Sequence, residues 1–131
     1  MPVYTLACNN FLNTSTSQRI AEAITNVHVE TTGAPAEFVS VVFMYGQPLK
    51  PNIRMSVNGN VRSGGNRNKE LTEDLKRKLL KAMADASALA ESQIEVNLLG
   101  FPASWVMEGG EILPEPGQEH GWLKRKANTA G

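Results

Sequence analysis

The chain has 131 residues, enough for one domain with a sizeable core, and carries 13 lysines and arginines against 13 aspartates and glutamates. A formal net charge of zero supplies no field to gather nucleic acid or an anionic membrane. A single cysteine, no signal-peptide pattern and no run near the ~20 apolar residues of a membrane span lead us to expect a cytoplasmic protein without disulfides.

Pro2 follows Met1 directly. Proline is small enough for cytosolic processing to remove Met1, which would leave Pro2 with a free secondary amine. An ordinary α-amino group titrates near ~8, and desolvation disfavours its charged form, so a buried proline nitrogen is a usable acid or base near neutral pH. The same dipeptide also begins many chains whose ends are merely frayed.

"VYTLAC" (3–8) is short, apolar and β-prone, and predicts a strand that would anchor Pro2. Its cysteine, Cys8, reads as a small buried hydrophobe. In the following segment Ser15 and Gln18 suit a capping box, Ile20, Ile24 and Val27 recur at helical spacing, and Gly33 suits a stop, predicting a helix over about 16–31. "EFVSVVFMY" (37–45) is nearly continuous in apolar residues, as in a strand buried on both faces. After "GQPLKPN" the pattern repeats: a strand at 53–61, a helix at 68–90 with Leu71, Leu75, Leu79 and Met83 as its stripe, and a strand at 94–100. The fold class expected is α/β: two β-α-β units, about 2–50 and 51–101, each with a right-handed crossover onto a parallel pair. Together they form a four-stranded sheet with both helices on one face. The other face needs cover, which oligomerisation would supply.

The remainder is rich in Gly, Pro and Glu and too punctuated for a long element. It predicts a helical turn near 102–108, a hairpin-like loop around "ILPEPG", a domain ending near 122, and a flexible tail over 123–131. The two "KRK" groups, 76–78 and 124–126, read as solvated surface.

A β-α-β unit that begins at Pro2 and is then repeated resembles the tautomerase superfamily, in which an N-terminal proline is catalytic. Within it, "PASWVMEGGEILPEPGQE" (102–119) followed by Trp122, with "IAEAITNVH" (20–28), is similar to the cis-3-chloroacrylic acid dehalogenase group. The resemblance implies a homotrimer, a small carboxylate substrate and no cofactor. It makes Pro2 the general acid or base, lets His28 and Arg62 hold the substrate carboxylate, and lets Glu108 activate water. Arginine's forked, permanent charge suits a carboxylate. Two departures stand out. Gly65 occupies the place of the family's second arginine, with Arg67 two positions further along, and Asn97 stands where the family has a tyrosine, offering hydrogen bonds but no phenol. The C-terminal extension is also short.

Three activities are compatible with these residues. A neutral Pro2 would shuttle a proton in keto–enol tautomerisation, the favoured reading, with Arg62 stabilising an enolate. A protonated Pro2 would support hydration, or hydrolytic dehalogenation of a 3-substituted acrylate, with water directed by Glu108. A noncatalytic trimer that binds small acids is the third. With only two histidines, His28 and His120, and no clustered ligand spacing, no metal site is expected.

Overall fold

A computed structural model describes residues 2–65 and 67–130, with side chains through residue 127. Strand β1 (Val3–Cys8) leads into helix α1 (Thr14–Thr32), a short 3-10 turn (Ala36–Phe38) and strand β2 (Ser40–Met44). Strand β3 (Met55–Ser63), helix α2 (Lys69–Ser87) and strand β4 (Ile94–Pro102) repeat the order. β1 runs parallel to β2, β3 runs parallel to β4, and β1 meets β3 antiparallel, giving the sheet order β2-β1-β3-β4. The expected duplicated β-α-β sandwich is present.

The helices form where expected; Gly33 closes α1 as expected, in the left-handed conformation, and only the N-cap of α1 differs. Asn13, rather than Ser15, starts α1: its side-chain oxygen accepts the Thr16 N–H at 2.8 Å, so one of the helix's unpaired first-turn donors is satisfied. Asn68 does the same for the Leu71 N–H of α2. Ile20, Ile24, His28 and Thr32 line the buried stripe of α1, and Leu75, Leu79 and Met83 that of α2. These stripes press on alternate sheet residues, Tyr4, Leu6 and Cys8 from β1 and Met55, Val57 and Val61 from β3, to make one core. The opposite sheet face leaves Val42, Met44 and Leu99 exposed. β2 is therefore covered on one side only, not on both as its apolar run suggested.

The segment after β4 departs most from expectation. A 3-10 turn occupies Ala103–Trp105, and the hairpin lies upstream of "ILPEPG": β5 (Met107–Glu108) pairs with β6 (Glu111–Ile112) across Gly109-Gly110, a dipeptide suited to a two-residue turn. The prolines of 113–118 cannot supply ladder donors, and that stretch instead crosses the fold as an irregular strap. Where a flexible tail was expected, helix α3 (Glu119–Ala130) continues the chain. Its Trp122 meets Phe38 edge-on at 5.9 Å, an anchor that a segment-by-segment reading cannot see.

Candidate active site

Pro2 is buried at the head of β1, and its carbonyl accepts the Ser40 N–H at 3.1 Å. The β1–β3 register sets Val3 opposite Asn60 and Tyr4 opposite Gly59, so Pro2 lies level with Val61, one residue from Arg62. Strand alternation puts Pro2 and Tyr4 on the same, helix-covered face. There the Tyr4 hydroxyl lies 2.6 Å from His28 Nδ1, joining the first strand to the last turns of α1. Burial, reinforced by Arg67 and then Arg62, pushes the His28 imidazole down to about 3, so the ring is neutral at pH 7. Burial raises the Tyr4 phenol well above its ordinary range, against a smaller opposing pull from Arg67. His28 Nε2 is buried and has no hydrogen-bond partner among the described residues.

The two arginines are employed differently. Arg62, near the end of β3, is almost completely buried and points its guanidinium into the C-terminal strap. It donates to the Pro114 carbonyl at 2.5 Å and to Glu119 Oε1 at 2.6 Å, while the Phe38 ring lies 5.9 Å from its centre. Glu119 Oε2 in turn accepts the Gly117 N–H at 2.9 Å. Arg62 is thus occupied within the chain, by one oxygen of the Glu119 carboxylate and by the Pro114 carbonyl.

Arg67 follows a tight turn closed by its own N–H on the Gly64 carbonyl at 2.9 Å. One terminal nitrogen donates to the Arg62 carbonyl at 3.3 Å, and its Nε is buried without a partner among the described residues. Burial and the adjacent Arg62 charge lower its pKa, with Glu119 and Tyr4 opposing, yet a guanidinium remains cationic at neutral pH. Arg67 Nε and His28 Nε2 are thus two buried polar atoms without partners among the described residues, in a region where two arginines face one buried carboxylate, that of Glu119.

The same geometry accounts for the glycine at position 65. Its φ is +57°, and a Cβ there would stand 2.2 Å from the Pro116 carbonyl oxygen. Only glycine lets the loop lie against the strap, so an arginine at 65 is incompatible with this course of residues 113–118. The next arginine, Arg67, follows the turn that Gly64 and Gly65 make possible.

The remaining candidates lie elsewhere. Asn97 is exposed on the open sheet face and donates to Glu95 Oε1 at 3.2 Å. Arg62 pairs with Phe101 in the β3–β4 register, so Asn97 is four residues, ~13 Å, farther along the strand. The structure does not bring it to the Tyr4–His28–Arg67 cluster of its own chain. Glu108 is half-buried on β5, paired with Glu111 across the small hairpin rather than built into the main sheet. Cys8 is buried, and burial raises its pKa, as suits a structural thiol.

Tyr4 and Glu119 join the site without a residue-type signal of their own in the sequence. Glu119 closes the "LPEPG-x-E" pattern, a fixed acid after a proline-rich strap, and that was the available signal. Tyr4 could have been found from its position two residues after Pro2, the spacing that returns to the same face of a strand.

No family model and no curated protein matches the chain. Solved structures do. N1, a member of the cis-3-chloroacrylic acid dehalogenase family, superposes with a TM-score of 0.82 at 22% identity, over 93% of this chain and 90% of that one. A fused 4-OT described as a wild-type symmetric trimer gives 0.74 at 15% identity, over 85% and 94%. Malonate semialdehyde decarboxylase, whose structures include an inactivated form and a mutant with alanine in place of its first-position proline, gives 0.69 at 12% identity, over 82% and 90%. The chain has the fold these three structures share, the tautomerase fold anticipated from its motifs.

Proposed function

We propose that the chain is an acid–base enzyme of the tautomerase type, in which Pro2, freed of Met1, moves a proton on a small unsaturated or 2-oxo carboxylate. The observation that carries this reading is the burial of Pro2 on the same strand face as Tyr4, beside a cluster whose net charge is positive. Desolvation and positive charge both lower an amine's pKa, which favours a neutral proline able to accept a proton from an enol or carbon acid. Arg67 takes the substrate carboxylate and His28 donates a neutral hydrogen bond, while Arg62 holds the strap that closes the site. The proline-to-alanine mutant made for malonate semialdehyde decarboxylase supports assigning the chemistry to the first proline.

A homotrimer fits the same reading. The fused 4-OT is a trimer, and the exposed apolar residues Val42, Met44 and Leu99 offer a face for neighbouring subunits to cover. Asn97 lies on that face and would then line a site only across a subunit boundary.

Three measurements test the function: intact mass for Met1 loss, a nitrogen NMR titration of Pro2, and turnover of the enol form of phenylpyruvate. Wild type should turn over with a Pro2 pKa below the ordinary terminal range of ~8. Pro2→Ala should lose ~10²–10⁴-fold in rate while keeping its fold. A retained Met1, or a Pro2→Ala variant as active as wild type, overturns the proposal. A pKa raised above the ordinary range with water addition to a 3-substituted acrylate would transfer the chemistry to the Glu108 reading.

A further inference from the structure

We propose that Tyr4 is a positioning residue: its hydroxyl donates to His28 Nδ1 and so fixes the imidazole as the tautomer that carries its single proton on Nε2. His28 then offers a neutral N–H, not a cation or a base, to an oxygen of the bound acid. This deepens the proposed function, because the role of the N–H rests on that reading.

A phenol and a neutral imidazole 2.6 Å apart share one hydrogen bond, and the proton lies either on oxygen or on Nδ1. If Nδ1 carried it, the phenolic hydrogen would need a second acceptor, and Nδ1 is the hydroxyl's sole partner among the described residues. Nε2 would meanwhile hold a buried lone pair with no donor. That arrangement leaves two buried polar groups unmet. With the proton on oxygen, only the Nε2 N–H is left open, and it is the group a ligand can satisfy. Burial, then Arg67 and Arg62, disfavour a second proton on the ring, and burial keeps the phenol protonated and able to donate.

The ring is placed by packing as well. A Cβ at Gly59, across the β1–β3 ladder, would stand 2.6 Å from Tyr4 Cε1 and 2.8 Å from Leu98 Cδ2, so the missing side chain makes the slot for the phenol. The two rings meet edge-on, with centroids 5.6 Å apart and planes at 75°. A neutral donor suits an oxygen that gains negative charge during proton transfer, because the dipole is already aimed and needs no solvent rearrangement.

The experiment is nitrogen-detected NMR of the full chain labelled at histidine, where only His28 and the exposed His120 contribute. We expect His28 to be a single neutral tautomer with a protonated Nε2 and a hydrogen-bonded, unprotonated Nδ1. Tyr4→Phe should shift the ring toward the other tautomer or a mixture, and raise KM for phenylenolpyruvate about tenfold. If Tyr4→Phe does not fold, Gly59→Ala displaces the ring, and the wild-type spectrum decides by itself. A wild-type His28 protonated at Nδ1, or an Nε2–H tautomer unchanged in Tyr4→Phe or Gly59→Ala, overturns the assignment. The spectra require no turnover, so an Nε2–H tautomer that depends on Tyr4 in a protein with no activity would sustain this inference while the enzyme reading failed.

Discussion

The two β-α-β halves share one architecture and spend it differently. In the second half, α2 lays Leu75, Leu79 and Met83 on the sheet, and nothing in its stripe is polar. In the first half, Ile20 and Ile24 take the places of the two leucines, but the third position is His28, bonded to a tyrosine from the adjoining strand. A duplicated scaffold thus keeps one helix–sheet seam wholly apolar and buries a hydrogen-bonded polar pair in the other. The difference comes from one step of the helical repeat and one strand residue, with Gly59 supplying the space.

The largest loss is expected outside both seams, where α3 meets the end of β3. Glu119→Gln leaves the Arg62 charge buried without its carboxylate, and should cost ~3–5 kcal/mol in urea denaturation, with α3 becoming sensitive to protease. Leu79→Ala in the second seam should cost ~2–5 kcal/mol by the same measurement. Its folded fraction should keep wild-type activity if that seam serves stability alone. Making the first seam resemble the second, by combining Tyr4→Phe with His28→Met, should abolish activity yet change stability at pH 7 little, because both members of the hydrogen bond leave together.

The pH dependence sharpens the same contrast. His28 in the folded chain is held near 3, against an ordinary 6.5, so between these values the unfolded chain binds the extra proton. The stability associated with a neutral His28 is complete above about 6.5 and is lost as pH falls toward about 3. Denaturation at pH 7 and pH 4 should therefore show wild type losing more than the double variant. The smallest effect is expected on the outer face of α2. There Asp74 pairs with Lys78 at 2.9 Å and with Arg77, and Asp74→Asn should shift stability by no more than ~0.5 kcal/mol.

Local pattern was enough for the elements that bury a continuous stripe. Helices α1 and α2 and the four main strands follow from side-chain periodicity, since a period of 3.6 or 2 leaves few ways to hide the apolar set. Their exact caps were less legible, because Asn13 and Ser15 both offer a side-chain acceptor and only backbone geometry chooses between them. Pro2, His28, Arg62 and Arg67 stand out by residue type and motif. Their hydrogen-bond partners do not, because these depend on where the strap lies.

Sequence by itself determined the duplicated β-α-β order, the core stripes, the buried Cys8 and an apolar sheet face that lacks cover, since each is a short-range consequence of composition and period. Tertiary structure alone decided that Arg62 is paired with Glu119, 57 residues away, that residue 65 must be glycine beneath Pro116, and that α3 docks through Trp122 on Phe38. These contacts join segments with no common periodicity. Charge pairing and steric exclusion act through space, and only the folded path of residues 113–122 brings those atoms together.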